Sequence, residues 1–216
     1  MQVYNVLIGC DQKYYDDWAV PLLSSIHRHN PWLELHCHIV NPTNLNKLKY
    51  VSITTEQRQF VNDEAKISYL QGVRFLVAKE KFSNNENVVT LDCDTICTRS
   101  IINPTEINNL FEKQHVLKHH KEDRWLAGLV VFNQNSLRQE LYEELTSVPF
   151  DDWKWGRDQI VLNTFADKFN FQSVGNQWMS IGKNKTNSVF LTLKGNQKFK
   201  EKFLNAYNKY KSQGMI

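Results

Sequence analysis

Two aspartates, Asp92 and Asp94, stand one residue apart at the end of an apolar run in the stretch NVVTLDCDTICT. Carboxylates this close repel each other unless a cation lies between them. In an extended strand, residues i and i+2 point to the same side, so the spacing predicts that both carboxylates face one spot. Hard oxygen anions suit Mg²⁺ or Mn²⁺, ions that commonly bridge to the phosphates of a nucleotide. Taken alone, the pair is explained equally well by one Asp capping a turn while the other is solvated. Arg74 adds a second sign. In ISYLQGVRFLV it falls on the helical stripe Leu70–Arg74–Val77 and so points inward, where a guanidinium needs an anion: a phosphate, Asp92 itself, or another structural carboxylate.

These residues need elements to carry them. VYNVLIG reads as a first buried strand. DDWAVPLLSSIHRH follows as a helix with Trp18, Leu22 and Ile26 at helical spacing, Asp16 or Asp17 capping it, and Pro21 near its first turn. LELHCHIV alternates like a strand, and NPTNLNK after it reads as a loop. DEAKISYLQGVRFLVAKEKF is the clearest helix. NVVTLDCD has the short apolar run of a central parallel strand, WLAGLVVFN that of another strand, and RDQIVLNTFADKF reads as a further helix. Strands alternating with helices predict an α/β fold: one domain over residues 1–216, built on a mostly parallel central sheet flanked by helices. In such sheets ligands bind beyond the carboxyl ends of the strands, where strand order reverses. The end of NVVTL is such a place.

The chain as a whole narrows the function classes. With 216 residues, 41% hydrophobic and 23% charged, it has globular composition. The formal charge of +3 is mild and its cations are dispersed, which leaves no electrostatic footprint for nucleic acid but allows a small anionic ligand. No signal peptide pattern and no transmembrane stretch is evident, and four cysteines form no disulfide framework, so the expectation is a cytoplasmic protein with free thiols. His36 and His38 share a strand face but lack the second ligand pair of a zinc site. Cys93 and Cys97 read as small core fillers. Trp153 and Trp155 in DDWKWGRD suit either an acceptor glycan or core anchoring. KFKEKFLNAYNKYK places Phe199, Phe203, Tyr207 and Tyr210 on one face and lysines elsewhere, the pattern of a core-covering helix that also allows peripheral membrane contact.

Over Tyr4 to about Lys198 the chain resembles the GT-A fold glycosyltransferases that use nucleotide sugars, most closely glycosyltransferase family 8 and its small viral and bacterial relatives. The most specific part of the match is a helix carrying Tyr69 and Arg74 ahead of TLDCDTIC, which is similar to the family's YLDxDxxV motif. The resemblance implies that Gly9, Cys10 and Asp11 of VLIGCD lie beside the uracil and ribose, that Asp92 contacts the ribose and the metal, that Asp94 binds Mn²⁺ or Mg²⁺ between the phosphates, and that Tyr69 and Arg74 help hold the donor. WLAGLVVFN resembles FNAGVMLIN, with Ala127 and Gly128 matching and Leu126 replacing an Asn. RDQIVLN resembles DQDxLN, which implies that Asp158 and Gln159 lie beside the transferred sugar, with Asn163 at the terminal Asn and Ile160 in place of the second Asp. TLKGNQK resembles HFNGxxKPW: Gly195 and Lys198 match, and Thr192 stands where a third metal ligand, a His, is expected, so that water, His119 or His120 would complete the coordination.

The implied activity is metal-dependent transfer of a sugar from a nucleoside-diphosphate donor, a UDP-sugar, to a glycan or protein-linked acceptor. Leaving of a diphosphate asks for a cation and for Lys or Arg, roles that Asp92, Asp94, Arg74 and Lys198 fill. Asp158 is the candidate base, its alternative being a helix N-cap. Two rivals remain. One is a non-catalytic protein of the same fold that binds carbohydrate or nucleotide sugar. The other is a haloacid-dehalogenase-type phosphatase, whose DxD motif normally opens its domain. A sugar nucleotidyltransferase is disfavoured because GCDQKYYDD holds one Gly where a Gly-rich phosphate loop is expected.

Overall fold

The computed structural model describes residues 3–83, 85–101, 104–119, 122–133, 135–181, 188–192 and 204. The chain enters the sheet through β1 (Tyr4–Asp11), whose residues are buried from Tyr4 to Cys10. Continuous burial is what a central strand covered on both faces requires. Successive side chains part to opposite faces: Val6 and Ile8 join one core, Leu7 the other. Asp11 closes the strand and caps α1 (Gln12–Tyr14), accepting from the Tyr14 backbone N at 3.0 Å. A π-helical turn, Tyr15–Ala19, leads into α2 (Val20–His29). The cap is therefore Asp11 rather than Asp16 or Asp17, which lie inside the π turn; the helical path starts five residues before the point predicted from the apolar spacing.

There follow β2 (Glu34–Val40), β3 (Val51–Glu56) and α3 (Asp63–Lys81), the last capped by Asn62, whose side chain accepts from the Ala65 N at 2.8 Å. Then come β4 (Asn87–Leu91), β5 (Thr95–Cys97), α4 (Pro104–Phe111), β6 (His115–His119), β7 (Arg124–Phe132) and α5 (Asn135–Thr146). A 3₁₀ turn at Phe150–Asp152 precedes α6 (Arg157–Thr164), and β8 (Gln172–Ser173), β9 (Met179–Ile181) and β10 (Phe190–Thr192) complete the described elements.

Seven strands form the central sheet in the order β3-β2-β1-β4-β7-β6-β8, and β5-β10-β9 form a small second sheet. The pairs β3–β2, β2–β1, β1–β4 and β6–β8 are parallel, while β7 runs antiparallel to both β4 and β6. This is the expected α/β architecture with a mostly parallel sheet. One core lies under α2, α4 and the small sheet, with Leu22, Ile26, Phe111 and Phe190. The other lies under α3, α5 and α6, with Phe75, Leu76, Leu141, Trp153 and Leu162. Arg138 of α5 is buried at the far end of α3, where it donates to the carbonyls of Ser83 at 3.0 Å, Glu86 at 3.3 Å and Ala78 at 3.5 Å. A cation on the exposed carbonyls of a helix C-terminus opposes the negative end of its dipole. Among the described residues no helix is long and apolar enough to cross a membrane.

Candidate active site

β1 has β2 and β3 on one side and β4 on the other, so strand order reverses between β1 and β4. A cavity of about 330 Å³ opens beyond the carboxyl ends of these two strands, as expected of a ligand crevice in an open α/β sheet. β1 contributes Gly9, Cys10 and Asp11; the stretch after β4 contributes Asp92, Cys93 and Asp94; Arg74 comes from α3. Six of the predicted residues thus meet at one place. Tyr14 of α1 and Ile67, Leu70 and Gln71 of α3 also line it. The stripe Leu70–Arg74 pointed toward this wall, but nothing in the sequence marked Tyr14 or Ile67, both of which stay about half exposed.

Gly9 has a packing reason to be glycine. A Cβ there would fall 2.7 Å from Val73 Cγ1 and 3.1 Å from the Arg74 backbone N. The missing side chain lets α3 lie close on the end of β1 and carries Arg74 to the cavity. Asp11 is engaged on both oxygens, one capping Tyr14 N and the other 3.2 Å from Lys66 Nζ.

Asp92 and Asp94 do not sit in a strand. β4 ends at Leu91, and the two aspartates occupy the bend between β4 and β5, where the chain passes from one sheet to the other. The bend, not the pleat, brings them to one cavity. Asp92 is fixed by its backbone N donating to the Gly128 carbonyl at 3.0 Å and by Arg74, whose Nη2 lies 2.8 Å from its Oδ1. The same Nη2 donates to the Ala127 carbonyl at 3.0 Å and lies 3.5 Å from Asp158 Oδ2. Arg74 and Asp158 are 4% and 5% exposed, so the group is an internal charge cluster rather than a surface ion pair. Burial pushes the Cys93 thiol well above its ordinary pKa, which leaves carboxylate oxygens as the anionic groups of this wall.

Gly156, with φ +78°, takes the cap position of α6, so Asp158 lies in the first turn and turns inward to Arg74 instead of capping the helix. Gln159 Oε1 accepts from the Ala127 N at 3.2 Å; one turn on, Asn163 accepts from the Trp125 N at 3.0 Å and donates to its carbonyl at 2.9 Å. Residues four apart share a helix face, and these two amides dock α6 onto β7. Ala127, Gly128 and Gln159 therefore brace the cavity from behind.

Tyr69 is not brought to the cavity. It is buried with Phe60, Phe150 and Trp153, and the Arg58 guanidinium sits 4.4 Å from its ring centre; burial pushes its phenol above the ordinary range. Thr192 pairs with Thr95 in the small sheet, is fully buried, and directs its hydroxyl to the Asp94 carbonyl at 3.4 Å. The segment expected to bring a third ligand thus does reach Asp94, but there it braces the backbone. His119 accepts from the Glu122 N at 3.3 Å. His36 bonds Asn5 and His38 bonds Thr54, each at 2.9 Å; among the described residues no group of three His, Cys, Asp or Glu gathers for a metal. Trp153 is a core anchor against Gly72, while Trp155 is 68% exposed. Gly195, Lys198, His120 and the aromatic positions of the C-terminal stretch lie outside the described residues.

No protein-family model matches the chain, and no curated protein matches it in sequence. Solved structures do match in fold. The galactosyltransferase LgtC, in complex with donor and acceptor sugar analogues, aligns over 98% of this chain and 100% of its own with a TM-score of 0.62 at 13% identity. The glycosyltransferase GlyE of Streptococcus pneumoniae TIGR4 aligns over all of this chain with a TM-score of 0.60 at 14% identity; this chain spans 64% of its length. The bifunctional glycosyltransferase WbbM aligns over 95% of this chain and 50% of its own, with a TM-score of 0.62 at 14% identity. At such identities the likeness shows the fold, that of the GT-A glycosyltransferases.

Proposed function

We propose that the protein is a metal-dependent glycosyltransferase whose cavity takes a nucleoside-diphosphate sugar, UDP-linked, with Mn²⁺ or Mg²⁺, and passes the sugar to a glycan acceptor. The observation that carries this reading is the meeting of Asp92, Asp94 and Arg74 in one cavity at the sheet's switch point. Its volume is of the order of small-ligand sites, about 300–1,000 Å³. The donor set fits a hard divalent ion: the carboxylates of Asp92 and Asp94 line the cavity together and offer hard oxygen ligands, with the Arg74 guanidinium 2.8 Å from Asp92 beside them. Asp92 and Asp94 would hold the ion. When bound, it supplies neutralisation of the charge that develops on a leaving diphosphate. Arg74 sets the orientation of Asp92, and Asp158 holds Arg74. Burial and the guanidinium beside it suit Asp158 to that positioning role better than to taking a proton from an acceptor hydroxyl.

Calorimetric titration of UDP with and without Mn²⁺ tests the site. Metal-dependent binding is expected for the native protein and its loss for Asp94→Ala, with an unchanged melting temperature; unaltered affinity in the variant would contradict the assignment. A non-catalytic protein that binds nucleotide sugar is a second reading, favoured by Thr192, which offers its hydroxyl to a main-chain carbonyl where a ligand is expected. UDP release from a panel of UDP-sugars separates the two, since a binding protein would take up UDP and release none.

A further inference from the structure

We infer that Trp155 is the stacking platform of an acceptor saccharide, an inference that rests on the glycosyl-transfer reading. Trp155 is held out into solvent by a segment pinned on both sides. On one side Trp153 is buried, its indole against Gly72 of α3, where a Cβ would approach Trp153 Cζ3 to 2.6 Å; its Nε1 donates to the Val148 carbonyl at 3.2 Å. On the other side the Gly156 N donates to Gln71 Oε1 at 3.2 Å, and the left-handed backbone of Gly156 turns the chain into α6. Lys154 reaches back to Glu64 at 3.5 Å. Glu64 and Gln71 are two helical turns apart on α3, about 10 Å, so the neighbours of Trp155 on either side are tied to the same helix. The same helix presents Ile67, Leu70, Gln71 and Arg74 to the cavity.

A large aromatic left 68% exposed forgoes most of the stabilisation its burial would give, yet the backbone on both sides of it is fixed. That combination offers a rigid flat apolar face, with two torsions to freeze, next to Gly156, whose N bonds the cavity-lining Gln71. Its surroundings favour a saccharide over a lipid surface. Asp151 and Asp152 offset Lys154 and Arg157, so the segment itself carries no net positive charge to hold anionic lipid. The charged and amide groups that tie this segment to α3, Lys154, Glu64 and Gln71, suit hydroxyls, and the ring suits the C–H face of a pyranose.

Saturation-transfer NMR with lactose, cellobiose and maltotriose as probes, run on the full chain carrying UDP and Mn²⁺, tests the inference. The native protein should show transfer to at least one probe. Trp155→Ala should weaken that probe's affinity about tenfold, and Trp155→Phe should retain most of it. UDP affinity, read in parallel by calorimetry, should stay within about twofold in both variants. Absence of saccharide contact in the native protein, equal affinity in Trp155→Ala, or a joint loss of UDP and saccharide binding would each overturn the role of Trp155. Loss of binding to anionic phospholipid vesicles in Trp155→Ala with saccharide affinity retained would instead assign the ring to a membrane. Failure of UDP to bind the native protein would count against the donor site and not against the platform.

Discussion

Arg74 joins three parts of the chain at one nitrogen: Asp92 after β4, the Ala127 carbonyl of β7, and Asp158 of α6. Removing it would take a buried guanidinium away from two carboxylates, one of which, Asp158, is itself buried. Arg74→Met is therefore expected to lower stability by ~3–5 kcal/mol, the usual loss when one partner of a buried ionic group is deleted, as read from urea unfolding. Arg74→Lys should recover only part of this, because an ammonium on a flexible stem does not reproduce the planar fork. That Arg74 turns inward was legible in its helical stripe. Asp158 as its second partner was not, because the two are 84 residues apart in sequence and meet only when α6 docks through Gln159 and Asn163. Tyr69 shows the limit of a matched motif: on a helix turning 100° per residue, Leu70 and Arg74 face the cavity while Tyr69 and Val73 face the second core.

At the scale of elements, the site depends on how closely α3 lies on β1. Gly9→Ala would set a methyl 2.7 Å from Val73 Cγ1 and 3.1 Å from a backbone nitrogen, and the backbone cannot yield without moving the helix. The expected result is a loss of about 1–3 kcal/mol, typical of overpacking. UDP affinity should also weaken, because Arg74 is carried with the helix; calorimetry and urea unfolding on the same variant check both. The elements that build this wall were readable because they are long or continuously apolar: β1, α3, β4 and β7. β3 has no counterpart among the predicted elements, because VSITTE is half-buried to exposed along its length and shows no apolar run. β5, β8, β9 and β10 have two or three residues each, too few to show a period. The convergence of Asp92 and Asp94 was foreseen, but from the wrong geometry, since the turn between two sheets is invisible to a rule about alternation in one strand.

At the scale of the whole molecule, the pH dependence of folding is set in part by His36 on β2. Its Nε2 lies 2.9 Å from Asn5 Oδ1 of β1, its ring meets Phe82 edge-on at 4.9 Å between centres, and burial, with the nearby Lys81 charge, lowers its pKa to about 4. Glu86, the acidic neighbour, opposes this shift without reversing it. The folded state thus holds His36 neutral where the unfolded chain, with a pKa of about 6.5, begins to take up a proton. The stabilisation is fully present above pH 6.5 and is lost as pH falls from there toward 4. A shift of this size sets an upper bound of ~3 kcal/mol, which solvent screening of the half-buried ring reduces, and His29, lowered in the same direction by its burial, adds to the slope. Glu56 and Glu86, whose pKa values are lowered, act in a separate window: their stabilisation is lost only as pH falls through the low end of the carboxylate range. Urea midpoints measured from pH 7 to 5.5 should therefore decline above the window in which Glu56 and Glu86 lose their contribution. His36→Gln, which keeps a donor for Asn5 but carries no proton to gain, should flatten most of that decline; an unchanged slope would place the acid sensitivity elsewhere in the molecule.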